Sequence, residues 1–194
     1  MKANAHLFPV FLKLSGRLVL VVGAGPVAAS KIGPLVNAGA NVRVVATEVS
    51  PTIESMKVEV ARRAFRASDL DGVWLVIAAA TPDVNQHVAS EAGRRQVFVN
   101  AVDDPANASA YLGGVVRRAG VTFAISTDGR APALAGLLRE GLDAALPEEE
   151  LEAWVAEAER LRKDWKANDV PMHDRRPQLF EALVERYSMS QRPK

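Results

Sequence analysis

The sequence predicts an α/β fold: a parallel β-sheet with helices on both faces, then a β-hairpin with one helix, then a charged helical tail. Three observations carry this expectation. Residues 17–22 (RLVLVV) form an unbroken apolar, β-branched run that ends directly in Gly23-Ala24-Gly25. Two further runs, 72–80 (GVWLVIAAA) and 97–100 (VFVN), follow after stretches of helical spacing. After Pro105 the alternation stops, and short strand-like segments give way to leucine-rich and charged helices. Strands that are apolar throughout suit a parallel sheet buried on both sides. Strand–helix alternation then implies right-handed crossovers.

The elements follow in order. The first strand (17–22) passes through the glycines into a helix over 26–38, opened by Pro26 and ended by Gly39 at the C′ position. A second strand covers 41–45 (NVRVV). A short helix comes next, with Ser50 as N-cap and Pro51 at its first position. A third strand is expected over 58–65, a fourth over 72–80, a helix over 82–95 and a fifth strand over 97–100. Segments 111–117 and 121–126 read as an antiparallel hairpin closed by Arg118-Ala119-Gly120. The following helix, 132–146, carries Leu134, Leu137, Leu138, Leu142 and Leu146 at helical spacing. A hairpin under one apolar helix is a poor independent core. A second copy of the chain would repair it, so a homodimer through this segment is expected. The tail from 148 to 194 has two apolar stripes: Leu151, Trp154, Val155, Ala158, Leu161 and Trp165, then Leu179, Phe180, Leu183, Val184 and Tyr187. Both read as helix–helix packing.

Composition removes several function classes. The chain has 194 residues, 48% of them apolar and 24% charged, with a net charge of +1. That is enough for one good core or two small ones, and it gives no support to a nucleic-acid or membrane-surface role. Cysteine is absent, which excludes disulfides, thiolate chemistry and Cys-built metal sites. His6, His87 and His173 show no metal-ligand spacing, so no metal site is expected. In the opening stretch MKANAHLFPVFLKLSG, Pro9 and Lys13 interrupt any apolar signal region. No apolar run reaches the roughly 18 residues needed to span a bilayer. A cytoplasmic location is expected.

The glycine stretch GAGPVA (23–28) fits G-x-G-x-x-G/A. Gly23 permits the tight strand-to-helix turn, Gly25 lets the backbone approach a pyrophosphate, and Ala28 lets helix and strand pack closely. Phosphates would sit on the unpaired N–H groups and positive dipole end of the helix that begins at Pro26 and Val27. The strand before it and the second strand after it place the motif in a Rossmann-like unit that binds a dinucleotide. The acid that grips the adenosine ribose stands about 20 residues on in such units. Here the second strand ends Ala46-Thr47-Glu48, so Thr47 offers a hydroxyl and Glu48 a carboxylate. An acid at that place disfavours a 2′-phosphate, which points to NAD over NADP.

Four stretches together resemble one family: "FPVFLKLSGRLVLVVGAGPVAASK", "FRASDLDGVWLVIAAATPDVN", "VFVNAVDDPANAS" and "FAISTDGRAPALAGLLRE". They are similar to the precorrin-2 dehydrogenase / sirohydrochlorin ferrochelatase family, of the siroheme synthase N-terminal type. The resemblance implies an NAD-binding Rossmann domain over 1–108, a dimerisation segment over 109–147 and a helical C-terminal domain over 148–194. It implies NAD-dependent dehydrogenation of precorrin-2, a polycarboxylate tetrapyrrole, to sirohydrochlorin in siroheme biosynthesis, with ferrochelatase activity in some members. It also implies an interlocked homodimer with the active site near the domain junction. The methyltransferase domain fused in some members is not seen in this sequence.

Laid on the family's pattern, "NAVD" puts the proton-handling acid at Asp103. Asp103 also lies three residues past the end of the fifth strand, on the edge where such a sheet binds its cofactor. Asp104 precedes proline and reads as a turn residue. Ala79, Ala80 and Val102 are expected to line the cofactor pocket, although a shortened loop leaves Ala80 and Thr81 as alternatives. Ser126, Thr127 and Gly129 lead into a helix start that suits an anion. Arg117, Arg118 and Arg130 could pair with substrate carboxylates. Two rival readings remain: a regulatory NAD-binding module without turnover, and a dehydrogenase for another small substrate.

Overall fold

Strand β1 (Leu18–Val22) is buried on both faces because it is the centre of a five-stranded parallel sheet. The order is β3-β2-β1-β4-β5, with β2 at Asn41–Ala46, β3 at Glu59–Arg62, β4 at Val73–Ala78 and β5 at Phe98–Ala101. The chain builds outward from β1 to β3, then crosses back to the other side of β1 to begin β4. That reversal opens a crevice at the carboxyl ends of β1 and β4, where open α/β sheets bind ligands. The computed structural model describes residues 6–190, with side chains as far as Arg186. Residues 1–5 of the opening stretch and the side chain of Tyr187 lie outside the described residues.

Each face of the sheet has its own core. Val19, Val21, Val44, Leu75 and Ile77 pack with Ala28, Ile32 and Leu35 of α1 (Pro26–Asn37) and Ile53 of α2 (Pro51–Glu54). Leu20, Val22, Val45, Val76, Ala78 and Val99 pack with Leu70 and with Val88 and Ala92 of α3 (Pro82–Arg94). Helices therefore cover both faces, and the period-two alternation of inward side chains explains the unbroken apolar runs. Gly39 has φ +77 and ends α1 as expected. Ser50 does cap α2, but through its backbone, since its Oγ is buried without a partner.

Two strands differ from expectation for local reasons. β3 stops at Arg62, well short of Phe65, because residues 63–66 wrap around a buried carboxylate. Asp69, only 5% exposed, accepts two hydrogen bonds from the Arg63 guanidinium (2.6 and 2.8 Å) and one from the Arg66 N–H (2.8 Å). β4 carries a bulge: Leu18 pairs with Val73 but Val19 pairs with Leu75, so Trp74 is extra. Trp74 turns outward, and the Arg17 guanidinium lies 3.8 Å from its ring centroid.

The chain divides into two compact units, one ending at Leu112 and the other beginning at Gly113. In the second, β6 (Gly114–Arg118) and β7 (Val121–Ile125) form an antiparallel hairpin. Its turn is the pair Ala119-Gly120, with φ +49 and +77, the signs of a two-residue type I′ turn. The expected three-residue turn is thus one residue too long, and Arg118 belongs to β6. Helices α4 (Pro132–Ala145) and α5 (Glu148–Ala167) both pack against β6, and α6 (Met172–Ser190) packs against α5. Trp165 is buried and its Nε1 donates to Gln178 Oε1 at 2.6 Å, fastening the two tail helices. The second tail stripe is only partly packed: Phe180 is 68% exposed, because α6 has little besides α5 to cover it. No helix among the described residues is long and apolar enough to cross a membrane.

Asp69 makes a testable demand. Its pairing, first with Arg63, holds its carboxyl below the usual range. The folded state therefore binds fewer protons than the unfolded one. This contribution is complete above an ordinary aspartate pKa of about 4, and it is lost as pH falls through the depressed folded value. Asp69→Asn should lower urea-denaturation stability at pH 7 by about 2–3 kcal/mol. It should also flatten the acid limb of the stability–pH curve.

Candidate active site

The turn that leaves β1 is held from two sides. The Gly23 N–H donates to Val45 O (2.9 Å), and the Ala79 N–H donates to Val22 O (2.8 Å). Gly23 has φ +103, and a Cβ built on it would lie 2.2 Å from the Ala79 carbonyl oxygen. Only glycine fits there, because the protein's own backbone occupies the space. Gly25 is different. It caps α1 at φ −84, and a Cβ built on it would meet nothing within 4 Å.

Pro26 is the first residue of α1, so the N–H groups of Val27 and Ala28 lead the helix and have no partner within it. No acid stands in that first turn to offset the positive end of the helix dipole. The open side of Gly25 and these donors suit the pyrophosphate of a dinucleotide. Thr47 and Glu48 come immediately after β2 and are exposed, on the edge where an adenosine ribose would lie.

A cleft of about 380 Å³ lies at the carboxyl ends of β4 and β5. Its walls bring together Val27, Ala79, Ala80, Val102 and Asp103 from the expected set, with Pro82, Asn85 and Asp104. Ala80 is on the wall, whereas Thr81 is the N-cap of α3. A second hollow of about 360 Å³, between α3 and residues 106–109, contains none of the expected residues.

The adjacent acids have different surroundings. The Val102 N–H still donates to Ala78 O (3.0 Å), so Asp103 is the first residue off the sheet. Its backbone turns left-handed (φ +55), its side chain is exposed, and its carboxylate accepts no hydrogen bond among the described residues. Asp104 accepts a 2.6 Å bond from Asn107 Nδ2 and leads the 3-10 turn at Pro105–Asn107.

The expected substrate-binding residues lie in the second unit. Ser126 Oγ accepts from the Asp128 N–H (3.1 Å) and Thr127 Oγ1 from the Ala131 N–H (3.2 Å), shaping the turn before α4. Gly129 takes φ +72 in that turn. Arg117 and Arg130 are exposed, and neither is ion-paired among the described residues. Arg118 is held within the unit, donating to Leu146 O (2.9 Å) and pairing with Asp143 (3.0 Å). No cluster of three or more His, Cys, Asp or Glu among the described residues is placed to hold a metal ion.

Residues 10–114, more than half of the chain, match the model of a family described as putative NAD(P)-binding. The chain belongs to this family. It is also similar to siroheme synthase 1 of Serratia proteamaculans, 43% identical over 144 residues, covering 72% of this chain and 30% of that one. The siroheme synthase of Photorhabdus laumondii is 39% identical over 186 residues, covering 93% of this chain and 39% of that protein. The chain thus spans between about a third and two-fifths of the length of these curated relatives. A solved structure titled SirC, precorrin-2 dehydrogenase, shares the fold: TM-score 0.68, 24% identity, 90% of this chain and 88% of that one.

Asn85 was not among the expected residues of this NAD(P)-binding unit. It is 4% exposed on α3, and its Oδ1 accepts the Ala80 N–H at 2.9 Å. An asparagine in the first turns of a helix has no distinctive spacing, so nothing in the sequence singles it out.

The two glycines give opposite expectations. Gly23→Ala should lower the melting temperature sharply, because its Cβ meets backbone and its φ is left-handed. Gly25→Val should fold with nearly unchanged melting temperature yet weaken NADH binding at least tenfold. Differential scanning fluorimetry beside fluorescence titration with NADH separates the two effects.

Proposed function

We propose that this chain dehydrogenates precorrin-2 to sirohydrochlorin with NAD⁺, in the cytoplasm and as a homodimer. The observation that carries the proposal is that Asp103 and the glycine-turn residue Val27 line one cleft. A free carboxylate and a dinucleotide-binding turn are what a dehydrogenation accompanied by proton loss needs side by side. The similarity to siroheme synthases supports the choice of substrate.

NAD fits better than NADP. Glu48 follows the end of β2, where a carboxylate suits ribose hydroxyls and repels a 2′-phosphate. The cations at the neighbouring end of β3 are already paired, Arg62 with Glu54 and Arg63 with Asp69.

When bound, NAD⁺ supplies the hydride acceptor. Precorrin-2 loses a hydride to it and a proton to base, giving sirohydrochlorin, NADH and H⁺. The α1 N-terminus and Gly25 would hold the dinucleotide's phosphates, and Ala79, Ala80 and Val102 would form part of the wall of its site. Asp103 takes the departing proton, and its exposed carboxylate can return that proton to solvent. Ser126, Thr127, Gly129 and the arginines Arg117 and Arg130 are the proposed contacts for substrate carboxylates, whereas Arg118 is already engaged by Leu146 O and Asp143. Metal insertion into the product, in which one divalent cation replaces two N–H protons, is a second activity within the same proposal, with Asp103 accepting those protons in turn and passing them to solvent.

The dimer rests on α4. Among its described residues only Ala135 is buried, while Leu134, Leu137 and Leu138 are 49%, 66% and 50% exposed. A leucine face with nothing among the described residues to cover it, beside a hairpin of only two strands, fits a second copy.

Absorbance of NADH on mixing the protein with precorrin-2 and NAD⁺ tests the central proposal. Asp103→Asn should lower the rate by about 10²–10⁴-fold with NADH affinity unchanged, since asparagine tolerates the left-handed backbone. A wild-type rate in this variant would point to another base, and nucleotide binding without turnover would favour a regulatory module. Repeating the assay with Fe²⁺ or Co²⁺ tests chelation. Leu137→Glu should shift sedimentation from dimer to monomer.

A further inference from the structure

Asn85 is a buried carboxamide only half accounted for by the protein. A backbone N–H can only donate, so the atom that meets the Ala80 N–H must be Oδ1. This fixes the orientation of the amide and identifies the remaining group as Nδ2, a donor. Nδ2 pairs with no protein group among the described residues. It is also not a fully enclosed, unpartnered polar atom, of which Ser50 Oγ is the one found among the described residues. Asn85 is 4% exposed and is one of the residues lining the cleft, so its unpaired Nδ2 is the donor it has to offer there.

The place of this donor along a bound dinucleotide follows from the strand order. Adenosine lies toward the end of β2 and the pyrophosphate at the start of α1. The other half must continue across the ends of β4 and β5, past Ala80, Asn85 and Asp103. We infer that Asn85 Nδ2 donates a hydrogen bond to an acceptor oxygen on the nicotinamide half of the bound dinucleotide. This inference rests on the proposed dinucleotide site and adds a ligand-contacting residue to it. It makes Asn85 bifunctional: Oδ1 holds the loop that walls the cleft, and Nδ2 would hold the reactive half of the cofactor in the cleft that Asp103 also lines.

The test compares two ligands, NADH and ADP, which lacks the nicotinamide half, by titration calorimetry on the full chain without tetrapyrrole. Asn85→Asp keeps the acceptor for Ala80 N–H and loses the donor. Asn85→Ser also loses the amide donor but adds no charge. Both should weaken NADH binding at least tenfold relative to ADP, with melting temperatures close to wild type for Asn85→Asp. Because the readout is the ratio of the two affinities, either variant suffices if the other folds poorly. An unchanged ratio, through equal losses or none, would overturn the inference and leave Asn85 a loop anchor. Wild-type protein that binds neither ligand would instead overturn the dinucleotide site itself, and this inference with it.

Discussion

The carbonyl of Ala79 approaches Gly23 so closely that no side chain can stand between them, and the site is built around that contact. It joins the exits of β1 and β4, the two strands between which the chain reverses direction across the sheet. The same peptide has its N–H on Asn85, so one planar unit links the glycine turn to α3. Moving either end would tilt the wall formed by Ala79 and Ala80. The two glycines of one short motif thus answer to different causes. Gly23 answers to the protein's own packing, whereas Gly25 is open on its outer side, where the dinucleotide is proposed to bind.

Much of this was legible in the sequence where burial is symmetric. β1, β4 and β5 were readable as apolar runs because a strand covered on both faces leaves no polar position to blur it. β3 was harder, because as an edge strand it is only half-buried. Its end is decided by Asp69 drawing in Arg63, a pairing that local propensity does not encode. The hairpin was visible, but its turn was misjudged by one residue because Arg118 is as acceptable in a strand as in a loop. At the site, the proline after Asp104 marked that residue as part of a turn, whereas Asp103 was singled out by the family resemblance together with its place past the fifth strand. Asn85 was missed because a helical pattern assigns polar residues to the solvent side. Only the path of the β4–α3 loop shows that this one faces inward.

The two units differ in how completely they satisfy themselves. In the first, each sheet face has its own helices, and even the buried carboxylate of Asp69 has three donors. In the second, only Val116, Ala135, Leu151 and Trp165 are buried among the described residues, while α4 turns most of its leucines outward. Arg118 fastens the hairpin to the end of α4, which keeps that leucine face in a fixed shape. That leucine face is the surface the proposed homodimer would cover.

The left-handed backbone at Asp103 has an evolutionary consequence. Few residues accept that conformation readily, and the foremost are glycine and asparagine. Both lie a single base change from either aspartate codon. A lineage could silence the proposed proton acceptor with a commonplace transition and keep the fold, the turn and the affinity for nucleotide. The step from catalyst to nucleotide sensor would then be among the shortest that mutation can take, and the return path would be equally short.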